Sequence, residues 1–310
     1  MAIQRLECFG RCGQVGSRIV YSRNADKAAE ISNKYAVETC CDYEQFIDMV
    51  DSVVVCVPNC FHFEYAVAAL AKAKHVMVEY PLVVDSGEFE QLKRLSEQAG
   101  VVLMTGNTII HESPYIFTAE NIGKLGRMVS CSSRVAFYSD EIAGAWFMDR
   151  AITGSVFAAM NYHHIEYYKR LLGPVVKVWA VDQSSPCDGI KNIAGGNIFM
   201  EHKNKVTSSI QWYLSDKGAG LPRSMVLNGT CGSLTLITLV NGKTSVVWGE
   251  SIMPQQEITD QWGVQGSCED FIKAVNGQID HRLLLADDNE TLKIAWAAEH
   301  SSVSGRLVEI

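Results

Sequence analysis

The sequence predicts an α/β protein of two domains: a doubly wound parallel sheet, then an α+β domain with a largely antiparallel sheet. Three observations carry this. The chain has 310 residues, which suits about two domains. Up to about residue 106, short apolar runs alternate with helical patterns, as in parallel strands joined by crossover helices. Beyond that point strand-like runs follow one another and helices close the chain. The expected domains are 1–106 and 107–310.

A helix is expected over Met1–Phe9, ended by loop glycines. Ile19-Val20-Tyr21 reads as a strand. Asn24 is placed to cap a helix carrying Ala28, Ile31 and Tyr35 at helical spacing. Asp42 with Gln45 resembles a capping box and opens a helix through Phe46 and Met49. Val53 to Val57 is a continuous apolar run, as in a strand buried on both faces. Ala66, Ala69, Leu70 and Ala73 mark the next helix, and Val76-Met77-Val78 the next strand. Asp85 with Glu88 forms a second capping box, before a helix burying Phe89, Leu92, Leu95 and Ala99. Val101 to Met104 closes the series.

In the second domain a short helix is expected near 113–121, a strand near 128–135 and a longer helix over 155–172. Strands follow near 175–181, 197–201, 206–213, 225–228, 233–239 and 244–248. Asn241-Gly242 signals a hairpin, since both central residues of a type I′ turn need positive φ. Helices near 268–275 and 287–300 end the chain.

Charge and cysteine content narrow the function. With 27 Lys+Arg against 35 Asp+Glu the net charge is −8, so no basic footprint for nucleic acid or an anionic membrane exists. No apolar run approaches the ~18 residues of a membrane span, and no signal peptide is read at the start. Ten cysteines, without C-x-x-C, predict reduced thiols in a cytoplasmic protein. No metal site is expected, because Cys and His lack ligand spacing.

A doubly wound sheet usually holds a dinucleotide pyrophosphate on its first glycine-rich turn. The early glycines here, Gly10, Gly13 and Gly16, have G-x-x-G-x-x-G spacing, and only Ser17 and Arg18 separate them from the strand at Ile19. No helix fits there. The ribose-binding position falls near Ser22-Arg23, and counting back about 20 residues reaches Met1. The Rossmann-like sheet is therefore expected to lack its first strand and glycine-rich loop. Either the chain begins late or the phosphate grip is lost. Ser22 and Arg23 suit a 2′-phosphate, favouring NADP(H) over NAD(H).

Several segments carry a family resemblance: Val57-Pro58-Asn59 with His62, Lys74 through Leu82 with Glu79-Tyr80-Pro81, Trp146 with Asp149, and Gly154 through His163 to Gly173. They resemble the Gfo/Idh/MocA oxidoreductases. Glu-Tyr-Pro, Asp216 through Arg223 and Gly232-Ser233-Leu234 resemble its biliverdin reductase-like branch. The resemblance implies hydride transfer between a nicotinamide cofactor and a small-molecule substrate, in a cleft between two domains. It implies a cis Tyr80–Pro81 bond and dimers formed through the second-domain sheet.

Cofactor contacts are expected from Ser22, Arg23, Val57, Pro58, Asn59, His62, Glu79, Tyr80 and Asn107. The catalytic candidates are His163, Tyr80 and Glu79; the substrate candidates are Trp146, Asn161 and His164. Family sugar dehydrogenases commonly use Lys, Asp and His for the proton. Here Tyr80 replaces the Lys, Ala159 stands in the Asp place and His163 matches the His. That loss argues against sugar oxidation and for reduction of a conjugated C=N, C=C or carbonyl group, tetrapyrrole-like substrates included. Glu166, at i+3 from His163, is a candidate to orient it. The alternative is a non-catalytic relative acting as a binding or assembly subunit.

Overall fold

The computed structural model describes residues 1–138, 146, 149–183, 195–215, 223–238, 243–249, 251–252 and 263–310. The first elements are α1 (Ala2–Arg11), β1 (Ile19–Tyr21), α2 (Ala25–Tyr35), β2 (Glu38–Cys40), α3 (Tyr43–Asp48), β3 (Ser52–Val55), α4 (His62–Ala71), β4 (His75–Val78), α5 (Ser86–Ala99) and β5 (Leu103–Thr105). Next come α6 (Ser113–Asn121), β6 (Met128–Tyr138), α7 (Arg150–Thr153), α8 (Val156–Leu172), β7 (Val175–Asp182), β8 (Gly195–His202) and β9 (Thr207–Ser215). The chain continues through β10 (Arg223–Gly229), β11 (Gly232–Thr238), β12 (Thr244–Trp248), β13 (Ser251–Ile252), α9 (Val264–Val275), α10 (His281–Ser304) and β14 (Val308–Glu309).

Two compact units form. The first comprises Met1–Val57, Phe61–Asn107 and Val264–Ala286; the second comprises Pro58–Cys60, Thr108–Gly263 and Asp287–Ile310. The sequence reading kept all of 107–310 together, whereas α9 lies in the first unit. The reason is packing: Phe271 and Ala274 of α9 share a core with Met77, Val102 and Met104.

In the first unit the local signals act as read. Asn24 accepts from the Lys27 amide at 3.0 Å and Asp42 from the Gln45 amide at 2.9 Å. Asp85 and Glu88 complete the capping box of α5, and Gly100 ends that helix at φ +67°. The helix α1 runs two residues beyond the expected end, taking in Gly10. Its Cys8 packs with Val264 and Cys268 of α9.

All strand pairs in this unit are parallel, but they form two sheets, β2-β1 and β3-β4-β5. A doubly wound sheet of order 3-2-1-4-5-6 places its first strand at the centre. Here β2 and β1 match positions 3 and 2, while β3, β4 and β5 match 4, 5 and 6. The described residues supply no strand for the place between β1 and β3. Aromatic rings connect the two pieces: Tyr21 of β1 lies 5.0 Å from Tyr43, which meets Tyr65 of α4 edge-on at 4.5 Å.

The second unit is built on one nine-stranded sheet, ordered β13-β12-β11-β10-β6-β9-β8-β7-β14. Every neighbouring pair is antiparallel except β6–β9. One face is covered by helix: Ile165 and Tyr168 of α8 and Val135, Val178 and Trp212 of the sheet are buried. Period-two alternation turns Trp179 and Phe199 outward, where their rings lie 5.4 Å apart. The Asn241-Gly242 turn lies outside the described residues, although β11 and β12 pair antiparallel as a hairpin requires. Among the described residues no helix is long and apolar enough to cross a membrane.

Candidate functional site

In open α/β sheets ligands bind at the carboxyl ends of the strands. In the first unit this edge carries Ser22-Arg23 after β1, Val57 after β3, Glu79-Tyr80 after β4 and Asn107 after β5. The Ser22 hydroxyl donates to the Asn24 carbonyl at 3.1 Å and so shapes the turn. Arg23 is exposed, with its guanidinium 5.5 Å above the Phe61 ring. The Tyr80–Pro81 bond is cis. Asn107 is buried, and its backbone N–H donates to the Thr105 carbonyl at 2.7 Å.

Glu79 is held rather than free. Arg5 of α1 donates from Nε to its carboxylate at 2.7 Å and from Nη2 to the Gly106 carbonyl at 2.6 Å. Arg5 is only 2% exposed. A Cβ on Gly106 would stand 2.6 Å from Nη2, so a side chain there would push the guanidinium aside. Glu79 raises the Arg5 pKa against the larger, lowering effect of burial. Glu79, read from sequence as catalytic and cofactor-binding, thus has its carboxylate engaged by Arg5 at the start of the Tyr80 loop. Arg5 was missed because one arginine in a polar helix looks solvated; its only signal is the stripe it shares with Cys8 at i+3.

His62 is likewise committed. Its Nδ1 lies 2.8 Å from the Pro81 carbonyl and its Nε2 2.9 Å from the Val57 carbonyl. It is fully buried, and desolvation lowers its pKa. It ties the β3 and β4 loops together, and both ring nitrogens of this expected cofactor contact face backbone carbonyls. Desolvation also pushes the Cys56 thiol up, away from its thiolate form.

In the second unit Asn59 donates to the Thr153 carbonyl at 3.0 Å, anchoring the Pro58-Asn59 segment to α7. Trp146 is exposed and its carbonyl accepts from Asp149 N at 3.0 Å. The helix α8 brings Asn161, His163 and His164 within one turn. Glu166 is the candidate to orient His163. It is buried, with Lys169 at 3.1 Å and with Arg170 and the Thr291 hydroxyl in contact. Among the described residues no group of three or more His, Cys, Asp or Glu could hold a metal.

The residues present fit one end of a nicotinamide dinucleotide. Arg23, exposed beside Ser22, offers a charge and a hydroxyl of the kind a ribose phosphate takes. The glycines of residues 10–16 lie before β1, at its amino end, and so do not fit the pyrophosphate.

A parallel sheet of nucleotide-binding order, followed by a large sheet with one helix-covered face, defines a class of two-unit oxidoreductases. Two family models match. That described as "Oxidoreductase family, NAD-binding Rossmann fold" covers residues 10–107, and "GFO/IDH/MocA C-terminal domain" covers residues 121–235. The chain belongs to the Gfo/Idh/MocA family of oxidoreductases. It is 37% identical over 92 residues to 4-carboxy-2-hydroxymuconate-6-semialdehyde dehydrogenase of Sphingobium sp.. That match spans 29% of each chain, so the chain aligns with under a third of this relative's length. Biliverdin reductase of Synechocystis sp. PCC 6803, solved with biliverdin and NADP+, superposes with a TM-score of 0.81 at 18% identity, covering 97% of this chain and 95% of that one. An oxidoreductase of Agrobacterium radiobacter, solved with NAD+, L-tartaric acid and magnesium, gives 0.83 at 16% identity, covering 99% and 95%. At such identity these structures share the fold alone.

Proposed function

We propose that this chain is a reductase that uses NADP(H) and acts on a small conjugated C=N, C=C or carbonyl substrate. The observation that carries the reading is the carboxyl edge of the first unit, where Ser22-Arg23 and Tyr80 follow parallel strands. The cofactor, when bound, supplies a hydride to the acceptor carbon. Ser22 and Arg23 would hold its ribose phosphate, and the loop fixed by Arg5–Glu79 and His62 would present Tyr80. The chain must then supply one proton to the substrate heteroatom or second carbon. Tyr80 and His163 are the groups of the right type. Structures of similar fold carry NAD+ in one case and NADP+ in the other, so the NADP(H) preference stands on Arg23.

The test is NADPH binding by calorimetry, then oxidation of NADPH with conjugated acceptors. Binding that weakens about tenfold or more in Arg23→Ala, and turnover lost in His163→Ala, are expected. NADPH that fails to bind at millimolar concentration refutes the reading and leaves the binding-subunit alternative. We also infer a homodimer through the outward sheet face carrying Trp179 and Phe199, because exposed apolar patches mark partner surfaces. A monomer mass by light scattering would refute it.

A further inference from the structure

Buried polar atoms of the second unit with no hydrogen-bond partner among the described residues include both amide atoms of Asn161, Nδ1 of His164 and Nε1 of Trp212. Asn161 is fully buried and Trp212 is 1% exposed. Each such orphan is destabilising, so several together need a reason.

They share one region. Asn161, His164 and Tyr168 stand at i, i+3 and i+7 on α8, one stripe of the helix. Tyr168 lies beside Cys131 and Ser133 of β6. His164, one turn earlier, is close enough to Arg223 of β10 to feel its charge. The sheet register explains this. Gly196, Trp212 and Val135 form one cross-strand row. Ser224 stands opposite Arg134 in an antiparallel pair, which sets Arg223 opposite Val135 in the same row. Val135 and Trp212 are buried under the helix, so period-two alternation turns Arg223 to that face as well. At the other end of the row Gly196 has no side chain; a Cβ there would stand 2.9 Å from Trp212 Nε1.

The set is rich in donors. Arg223 and the indole N–H can only donate, the Asn161 amide offers two donors beside its acceptor oxygen, and His164 can donate through Nδ1. Burial and the Arg223 charge keep His164 neutral, with a pKa of about 3. A neutral imidazole with an available N–H beside a guanidinium, under a buried amide, is arranged to receive oxygen acceptors bearing negative charge.

We propose that Arg223, Asn161 and His164 form a carboxylate subsite, so the substrate of this chain is a carboxylic acid. Arg223 supplies the charge partner; Asn161 and His164 supply hydrogen bonds to the carboxylate oxygens. The word substrate rests on the hydride-transfer reading above, whereas the anion site does not. The test is therefore a binding experiment with the full chain and no cofactor.

Ligand-detected NMR titration would compare trans-cinnamate and fumarate with cinnamamide and fumaramide. The acids are expected to bind at least tenfold tighter than the amides. Arg223→Gln should remove that preference, Arg223→Lys should restore part of it, and Asn161→Leu should weaken acid binding several-fold. Circular dichroism would confirm that each variant folds. Acids and amides binding alike, no binding of either, or acid binding unchanged in Arg223→Gln would overturn the proposal. Acid binding that depends on Arg223, in a protein that does not bind NADPH, would keep the subsite and sink the reductase reading.

Discussion

Replacing Arg5 by Met removes a buried charge and leaves its partner behind. The Arg5 and Glu79 side chains are 2% and 9% exposed. Breaking a buried ion pair by removing one member costs about 3–5 kcal/mol, because the remaining charge is uncompensated. The Gly106 carbonyl also loses its donor, worth roughly 1 kcal/mol more. Arg5→Met should therefore lose about 4–6 kcal/mol, a large share of any domain's stability. The double variant Arg5→Met/Glu79→Gln lacks both charges and should be no less stable than Arg5→Met, a coupling of roughly 2 kcal/mol or more. Urea unfolding followed by far-UV circular dichroism measures both quantities. A loss under about 1 kcal/mol in Arg5→Met, or strict additivity in the double variant, would refute the view of Glu79 as a charge locked by α1.

Three further outcomes follow from the same reasoning. His62→Leu should lower stability by about 1–2 kcal/mol, since a neutral ring has one N–H and one of the Val57 and Pro81 carbonyls loses its donor; thermal unfolding measures it, and an unchanged midpoint would contradict the role given to His62. Glu166→Gln should cost about 1.5–3 kcal/mol, because Lys169 and Arg170 lose one carboxylate but keep Asp287; Thr291→Val, which removes one hydroxyl donor, should cost less, and the reverse order in urea would count against the network. Burial lowers the pKa of His62, His75, His164 and His202 below 6.5. The folded state then binds fewer protons than the unfolded state below that pH, so stability is full above about pH 6.5 and falls as pH drops. The window for His164 runs from 6.5 down to about 3, and His164→Leu should flatten the profile there.

Local signals in the sequence reached far into this fold. Caps at Asn24, Asp42 and Asp85 are short-range chemistry and formed as read; the apolar run from Val53 formed a strand, but one that ends at Val55 and alternates buried and half-buried residues rather than burying both faces. The strand β2 left no such trace: Glu38, Thr39 and Cys40 make three residues with one buried side chain, too short for a period to show. The parallel pairing of β6 with β9 depends on residues about 77 apart and has no local marker. The site divided in the same way. Tyr80 and His163 stood out through motif, and Asn161 and His164 through their place on α8. Arg5 and Trp212 acquire meaning only from partners remote in sequence, and Arg223 closed a motif without suggesting that it would face α8.

The break between β1 and β3 has a consequence for hydrogen exchange. Successive residues of a strand turn their backbone groups to opposite sides. Ser22 donates to Cys40 on β2, and Val55 accepts from Glu79 beside β4. Ile19, Tyr21, Val54 and Cys56 therefore aim their amides into the break, where no strand of the described residues protects them. In an unbroken sheet these would be among the slowest amides of the domain. Here they should take up deuterium early, while Val76 and Val78 remain dark, so the time course of labelling would trace the seam through the middle of the first unit.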